Sequence, residues 1–345
     1  MEILTSQIEK DVQFLLNWCE QSQWIHKPDF DFISNFEIMT RSDLRQKDLR
    51  QSFGISKTSG STGEPVTVAK SYRDHIWYIA TSIRELRWLK WDMSKDIAFI
   101  RAGNKLEDGE GWGLPKSIVP LQGRHYKSDL VAISELQSWL ENKNPHYIHC
   151  LPSVFKQLDT KKISNFISWK GTGEVGANCY SSEECGVIAL RCPDNPLVYH
   201  VMENQIVECD QHGGLIITTK SNSHIRRYKH GDHIKLGQCP CGRSLQTITE
   251  IHGRVRNMMI LPNGDKKWPQ IGSLHFEDFG IKRFKMIQKE VTKFQLQLIS
   301  SDLKEKEQQL IDLVLKIIGF SAEIEIKYLD SFPNYKFEEF ICQVR

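Results

Sequence analysis

The chain of 345 residues has no stretch of about 18 consecutive apolar residues, which excludes a membrane-spanning helix. It has little excess of either charge. Forty-five Lys and Arg against 43 Asp and Glu leave +2, so electrostatics gives no case for a nucleic acid or a membrane surface as partner. The N-terminus, Met1 to Trp18, lacks the basic start, unbroken apolar segment and small-residue cleavage site of a secretory signal, so the cytoplasm is the expected compartment. Internal repeats and low-complexity segments are also missing. Nine cysteines are an odd number for a disulfide framework; in a large chain of a reducing compartment they read as buried thiols, some of them metal ligands.

What is there describes an ordinary globular protein, 40% hydrophobic and 26% charged. The length suits one large and one small domain, or two of medium size. Residues 1–50 have helical apolar spacing, and "RDHIWYIATSIRELRWLKW" carries a helical stripe whose Trp77, Trp88 and Trp91 are expected in the core. "DIAFIRAG" reads as a buried strand, "ISELQSWLEN" as a helix, and "HYIHCLPSVF" as a strand entering a turn at Pro152. This alternation predicts an α/β core with a largely parallel sheet. From about Asn204, short strands joined by Gly and Asp turns predict a β-rich subdomain at about 187–253. The last part reads as a separate α+β unit: a hairpin, an amphipathic helix closed by Gly319, and the alternating strand "AEIEIKYL". The expected division is 1–254 and 255–345.

Four stretches carry chemistry. In "KTSGSTGEP", the residues Thr58, Ser59, Gly60, Ser61, Thr62 and Gly63 combine glycine freedom with hydroxyl donors, as a phosphate-binding loop needs. The Lys of a Walker loop is absent, because Gly63 is followed by Glu64-Pro65; an ordinary glycine–serine turn fits this stretch equally well. "YSSEECG" sets Tyr180, a stacking face, beside the hydroxyl of Ser181 and the carboxylate of Glu184, an oxygen ligand for Mg²⁺ or else solvated surface. "RRYKHGDHI" places Asp232 at a turn, where it can bond two ribose hydroxyls. "IHGRVRNMM" has Gly253-Arg254 where a hinge would sit.

Taken in order, these motifs resemble those of the acyl-adenylate-forming superfamily, in particular its phenylacetate–CoA ligase branch and capsule-biosynthesis relatives. That branch carries T-S-G-[ST]-T-G-x-P, Y-[GS]-S-x-E, R-Y-x-x-G-D, C-P-C-G-R and a G-R hinge. They correspond here to Thr58–Pro65, Tyr180–Glu184, Arg227–Asp232, Cys239–Arg243 and Gly253-Arg254, and the likeness covers roughly residues 35–345. It implies a large α/β domain with a small mobile C-terminal α+β lid, and a two-step reaction. A carboxylic acid, aryl by the likeness, attacks Mg·ATP to give an acyl-adenylate and pyrophosphate; a thiol of CoA or of a carrier protein, or an amine, then displaces AMP. Carried over, Thr58 to Gly63 hold the β- and γ-phosphates, Gly173-Glu174 border the base and Tyr180 stacks on it. Glu184 ligates Mg²⁺, Asp232 holds the ribose, Arg227 lies near the nucleotide, and Lys336 reaches the α-phosphate. A homodimer is common among such proteins.

Cys239-Pro240-Cys241 turns two thiols toward one point, and the branch often matches the upstream pair Cys192 and His200. Together they make a four-ligand structural zinc site, with Cys185 as an alternative ligand and buried free thiols as the alternative reading. Departures from the pattern are Glu183 where Thr or Ser is common, His230 for Thr, Arg256 for Asp, Tyr335 before Lys336 where Gly is typical, and only five residues between Glu174 and Tyr180. They motivate a second reading, a catalytically weakened nucleotide-binding scaffold. A third, loading of an acyl group onto Cys342, rests on one cysteine near the C-terminus.

Overall fold

The computed structural model describes residues 2–45, 53–57, 66–101, 103–129, 131, 133–172, 177–254, 259–267, 276, 279–281, 284–299, 303–330 and 340–344; for 2–4, 45, 153, 253, 254 and 304 it describes the backbone alone. Two compact units result. The first comprises residues 1–230 and 234–251, the second 231–233 and 252–345.

The first unit begins with α1 (Glu2–Ser22), whose Val12, Leu16 and Cys19 are buried at helical spacing, followed by α2 (Phe30–Ser34) and α3 (Arg41–Arg45). Strands β1 (Gly54–Lys57) and β2 (Thr67–Lys70) form an antiparallel ladder, Ser56 opposite Val68 and Lys57 opposite Thr67. Helix α4 (Tyr72–Trp88) starts at a capping box: the Ser71 hydroxyl accepts from Asp74 N while the Asp74 carboxylate accepts from Ser71 N. Its inner face, Ile76, Ala80 and Ile83, packs on Val12 and Leu16 of α1.

A five-stranded sheet follows, built of β3 (Ile97–Ile100), β4 (Glu107–Glu110), β5 (Arg124–Ser128), β6 (Tyr147–Cys150) and β7 (Ser168–Gly171) in the order β4-β5-β3-β6-β7. All its pairs are parallel except the β4 edge. Helix α5 (Ile133–Lys143) packs Leu136 and Leu140 on Ala98, Ile100 and Ile148, and the short α6 (Pro152–Phe155) starts at Pro152. Trp91 stacks on Tyr147 at 4.4 Å in the core, whereas Trp77 and Trp88 are only half-buried, so the expected burial of all three holds for one.

The larger sheet has seven strands: β8 (Cys179–Ser182), β9 (Gly186–Arg191), β10 (Tyr199–Val201), β11 (Gln205–Cys209), β12 (Gly214–Thr219), β13 (Tyr228–Gly237) and β14 (Thr247–Arg254), ordered β11-β12-β13-β14-β10-β9-β8. The pairs β8–β9, β9–β10, β10–β14 and β11–β12 are antiparallel, so a parallel arrangement describes the five-stranded sheet and not this one. Short turns allow it, since hairpins need only a few residues where parallel pairs need a crossover.

In the second unit, β15 (Met259–Ile260) pairs with β16 (Lys266–Lys267), and a four-stranded sheet runs β19-β18-β17-β20. Its strands are the antiparallel hairpin β17 (Phe284–Glu290) and β18 (Lys293–Leu298), with β19 (Glu323–Tyr328) and β20 (Phe340–Cys342) added in parallel at either edge. Helix α7 (Glu307–Ile318) buries Leu310, Val314 and Ile318 and ends at Gly319, whose φ of +86° is the left-handed cap that glycine adopts without strain.

Candidate functional site

The side chains expected to carry chemistry fall into three groups. Thr58, Ser59, Gly60, Ser61, Thr62, Gly63, Gly173, Glu174 and Lys336 lie outside the described residues, as does the side chain of Arg254. The strands that flank the glycine–serine loop are described, and they reach the second motif. Ser56 on β1 donates its hydroxyl to Glu183 Oε2, and Lys70 on β2 donates to the Glu184 carbonyl oxygen at 2.9 Å. The turn after β8 is therefore gripped from both strands of the ladder. Glu184 is buried, and Arg41 Nη1 lies 3.3 Å from its Oε1. Sequence reading missed Lys70 and Arg41, because a lysine in "TVAKS" and an arginine in a charged run carry no signal of their long-range partner.

Tyr180 sits at a register shift between Tyr180 and Ser181, the kind of bulge that re-aims a side chain at a sheet edge. Its ring meets His230 edge-on at 6.3 Å, while Ser181 is exposed. Asp232 lies buried on β13, one residue after Gly231 with its φ of +93°. Arg227 is turned to structure. Its guanidinium forms a two-bond fork with Glu208 (Nε–Oε2 3.1 Å, Nη2–Oε1 3.0 Å) and donates Nη1 to the Phe36 carbonyl at 2.9 Å. This holds a non-glycine residue at φ +43°.

The third group is a cluster of Cys192, His200, Cys239 and Cys241, whose ligand atoms all lie within 4.8 Å of one another. Cys239 Sγ is 3.8 Å from Cys192 Sγ, and His200 Nε2 is 3.2 Å from Cys241 Sγ. Four donors around a tetrahedral zinc at about 2.3 Å place neighbouring sulfurs about 3.8 Å apart, so the set fits that metal. Burial first, then Arg243 and Arg84, lowers the His200 pKa to about 4, leaving the neutral imidazole that a metal requires. Burial opposes the Cys241 thiolate, but the Arg243 backbone and side chain and the thiols of Cys239 and Cys192 outweigh it and bring its pKa below the ordinary value. Cys185 is not part of this cluster; it is a buried thiol in the wall of a cavity of about 380 Å³.

No protein-family model and no curated protein sequence matches this chain. Solved structures do. A 2-hydroxyisobutyryl-CoA ligase in the postadenylation state with 2-HIB-AMP superposes with a TM-score of 0.65 at 15% identity, covering 99% of this chain and 90% of its own. An acyl acid amido synthetase in complex with 2,4-DB gives a TM-score of 0.55 at 12% identity, over 95% and 88%. An anthranilate CoA ligase in complex with anthranoyl-AMP gives 0.50 at 15% identity, over 81% and 63%. The fold is thus that of the AMP-forming acyl ligases, as the motif order implied.

Proposed function

We propose that the protein is an AMP-forming ligase. It activates a small carboxylic acid, aryl by the motif likeness, with Mg·ATP to an acyl-adenylate and pyrophosphate, and passes the acyl group to a thiol of CoA or a carrier protein. The observation that carries this reading is the grip of Ser56 and Lys70, on either side of the glycine–serine loop, on the Glu183-Glu184 turn. It couples the candidate phosphate loop to the candidate metal carboxylate in one unit of a fold shared with adenylating ligases. The neighbours' own ligands, small acyl-adenylates, agree with it.

In this reading Thr58 to Gly63 cradle the β- and γ-phosphates, Tyr180 and Gly173-Glu174 border the base with Ser181 at their edge, and Asp232 binds the ribose. Lys336 would bind the α-phosphate and Arg254 would lie near the nucleotide. Glu184 would hold Mg²⁺, a role suited to one buried carboxylate completed by phosphate oxygens. Held by Glu184, the ion would supply neutralisation of phosphate charge. The chain's own work is alignment and charge stabilisation; Arg41 fixes the Glu184 carboxylate and Lys70 fixes its backbone. Arg227 serves through Glu208, by setting the backbone that leads to Asp232. A structural zinc on Cys192, His200, Cys239 and Cys241 would pin β10 to the turn that follows β13.

Carboxylate-dependent ATP–pyrophosphate exchange tests the reading. Exchange with an aryl acid, reduced about 100-fold or more in Glu184→Gln and in Asp232→Ala, is the expected result. Exchange at the wild-type rate in both variants refutes the assignments. Nucleotide binding without exchange for any acid leaves the scaffold reading, and amide formation with added amines replaces the thiol acceptor.

A further inference from the structure

The cysteine turn between β13 and β14 has an outer layer beyond its four donors. Zinc on Cys192, His200, Cys239 and Cys241 would combine one dication with three thiolates and a neutral imidazole, leaving a single net negative charge. Cys192 is 2% exposed and His200 is fully buried, so water cannot solvate that charge from their side. A charge held away from water requires a partner. Arg243, two residues after Cys241, is the cation in position. Its backbone N–H donates to Cys241 Sγ at 3.5 Å, and its guanidinium hydrogen-bonds the same sulfur.

An arginine that only paired with a surface carboxylate would lie open to solvent. The Arg243 side chain is 9% exposed, although the Asp194 carboxylate it pairs with is 59% exposed. Other parts of the chain close the rest of the guanidinium. Its Cζ lies 4.9 Å from the Trp24 ring centre and 5.2 Å from that of Trp88, and Nε donates to Gln23 Oε1 at 3.0 Å. Trp88 in turn meets the His200 ring edge-on at 6.1 Å. Gln23 and Trp24 directly follow α1, and Ser244 N donates to the Gln23 carbonyl at 2.9 Å. The Trp24 ring also covers the turn itself, where a Cβ on Gly242 would stand 3.8 Å from its Cζ3. One guanidinium thus touches both a candidate ligand sulfur and the segment that follows the first helix.

We propose that Arg243 couples metal binding to the seating of that segment. Its cation balances the zinc centre from outside the four donors, and the Trp24 face and the Gln23 amide hold the cation where the centre needs it. This coupling rests on the zinc assignment of the proposed function for the ion, and on the contacts of Arg243 for the link. The two ends of such a link respond to each other by the same factor. Loss of zinc loosens residues 22–27, and loss of the Trp24 ring, which is no ligand, weakens zinc.

Competition for zinc between the full chain and a chromophoric chelator tests one end. Arg243→Met is expected to weaken zinc about tenfold or more, and Arg243→Lys, which keeps the charge, to weaken it less. Trp24→Ala should weaken zinc about threefold, the strength of one exposed cation–π contact. Hydrogen exchange read by mass spectrometry tests the other end. Amides of residues 22–27 should exchange faster by a similar factor once zinc is stripped from wild type, and at one rate with or without zinc in Arg243→Met. The proposal is overturned if Arg243→Met or Trp24→Ala holds zinc like wild type, if Arg243→Lys is no better than Arg243→Met, or if exchange in residues 22–27 ignores zinc. Should Arg243→Met fail to fold, Trp24→Ala and the wild-type exchange decide. Wild type that binds no zinc sinks the zinc assignment and the coupling together. Zinc bound equally well by wild type and Arg243→Met sinks the coupling alone.

Discussion

The buried ion pair of Arg84 and Glu203 offers the sharpest test of what holds the first unit together. Arg84 projects from α4 and Glu203 from the turn between β10 and β11; their side chains are 6% and 0% exposed, with Nη1–Oε2 at 2.7 Å. Glu203 Oε1 also accepts from Ser22 Oγ at 2.9 Å, so both carboxylate oxygens are satisfied. Removing the carboxylate in Glu203→Ala leaves Arg84 with three weak acceptors, the Cys19 carbonyl and Gln23 Oε1, each at 3.4 Å, and Met202 Sδ at 4.0 Å, and with the Trp88 ring at 4.7 Å. A buried charge stripped of its partner costs about 3–5 kcal/mol. Replacing both members, Arg84→Met with Glu203→Leu, removes the desolvation penalty as well and should leave stability within about 1 kcal/mol of wild type or above it. Urea unfolding of wild type, Arg84→Met, Glu203→Leu and the double variant closes a double-mutant cycle, with an expected coupling of about 3 kcal/mol or more. A cost below about 1 kcal/mol for Glu203→Ala, or additive single effects, refutes the reasoning.

Other outcomes follow from the same geometry. Purified protein should carry one zinc per chain by elemental analysis, and Cys241→Ser should lose the metal and lower the melting temperature; metal-free protein with unchanged melting would refute the site. His149 has neither ring nitrogen hydrogen-bonded among the described residues, and burial, followed by Lys170 and Arg101, holds its pKa well below the ordinary imidazole value. The unfolded chain protonates this residue near pH about 6.5 and the folded chain resists. Its contribution to stability is therefore complete above that pH and is lost as pH falls below it, at up to about 1.4 kcal/mol per unit. His149→Phe should flatten that acid-side slope, measured by unfolding between neutral pH and pH about 5. Lys170 pairs with Glu85 inside the same unit, so Lys170→Met should cost about 3 kcal/mol or more in urea unfolding.

Local periodicity carried most of the fold. The stripe in "RDHIWYIATSIRELRWLKW" became α4, the alternation in "RFKMIQKE" and "KFQLQLIS" became the β17–β18 hairpin, and Gly319 ended α7 at positive φ. What was not legible is long-range. Nothing local says that β8 joins the antiparallel sheet through β9, or that β20 adds to β17 in parallel. Trp77 reads as core by composition, yet its ring meets Trp18 edge-on and helps line the cavity. The candidate site shows the same division. Hydroxyl, glycine and thiol motifs are visible because their spacing is short, and the four Cys and His residues do meet. Arg41 and Lys70 are ordinary residue types whose meaning comes only from a partner far along the chain, Glu184.

The clasp between the first helix and the cysteine turn has a consequence for how the chain is made. Arg243 lies over Trp24 and Trp88, at 4.9 and 5.2 Å, and donates Nε to Gln23 Oε1, while Ser244 N donates to the Gln23 carbonyl. At about 5–20 residues per second, Gln23 and Trp24 are made roughly 10–40 s before Arg243 and Ser244. Val12 and Leu16 are covered by Ile76, Ala80 and Ile83 of α4 well before that, so what waits is the segment that follows α1. Gln23 and Trp24 thus stay without these partners until residue 244 has been made, and a chain stalled before that point exposes the Trp24 ring that Arg243 covers.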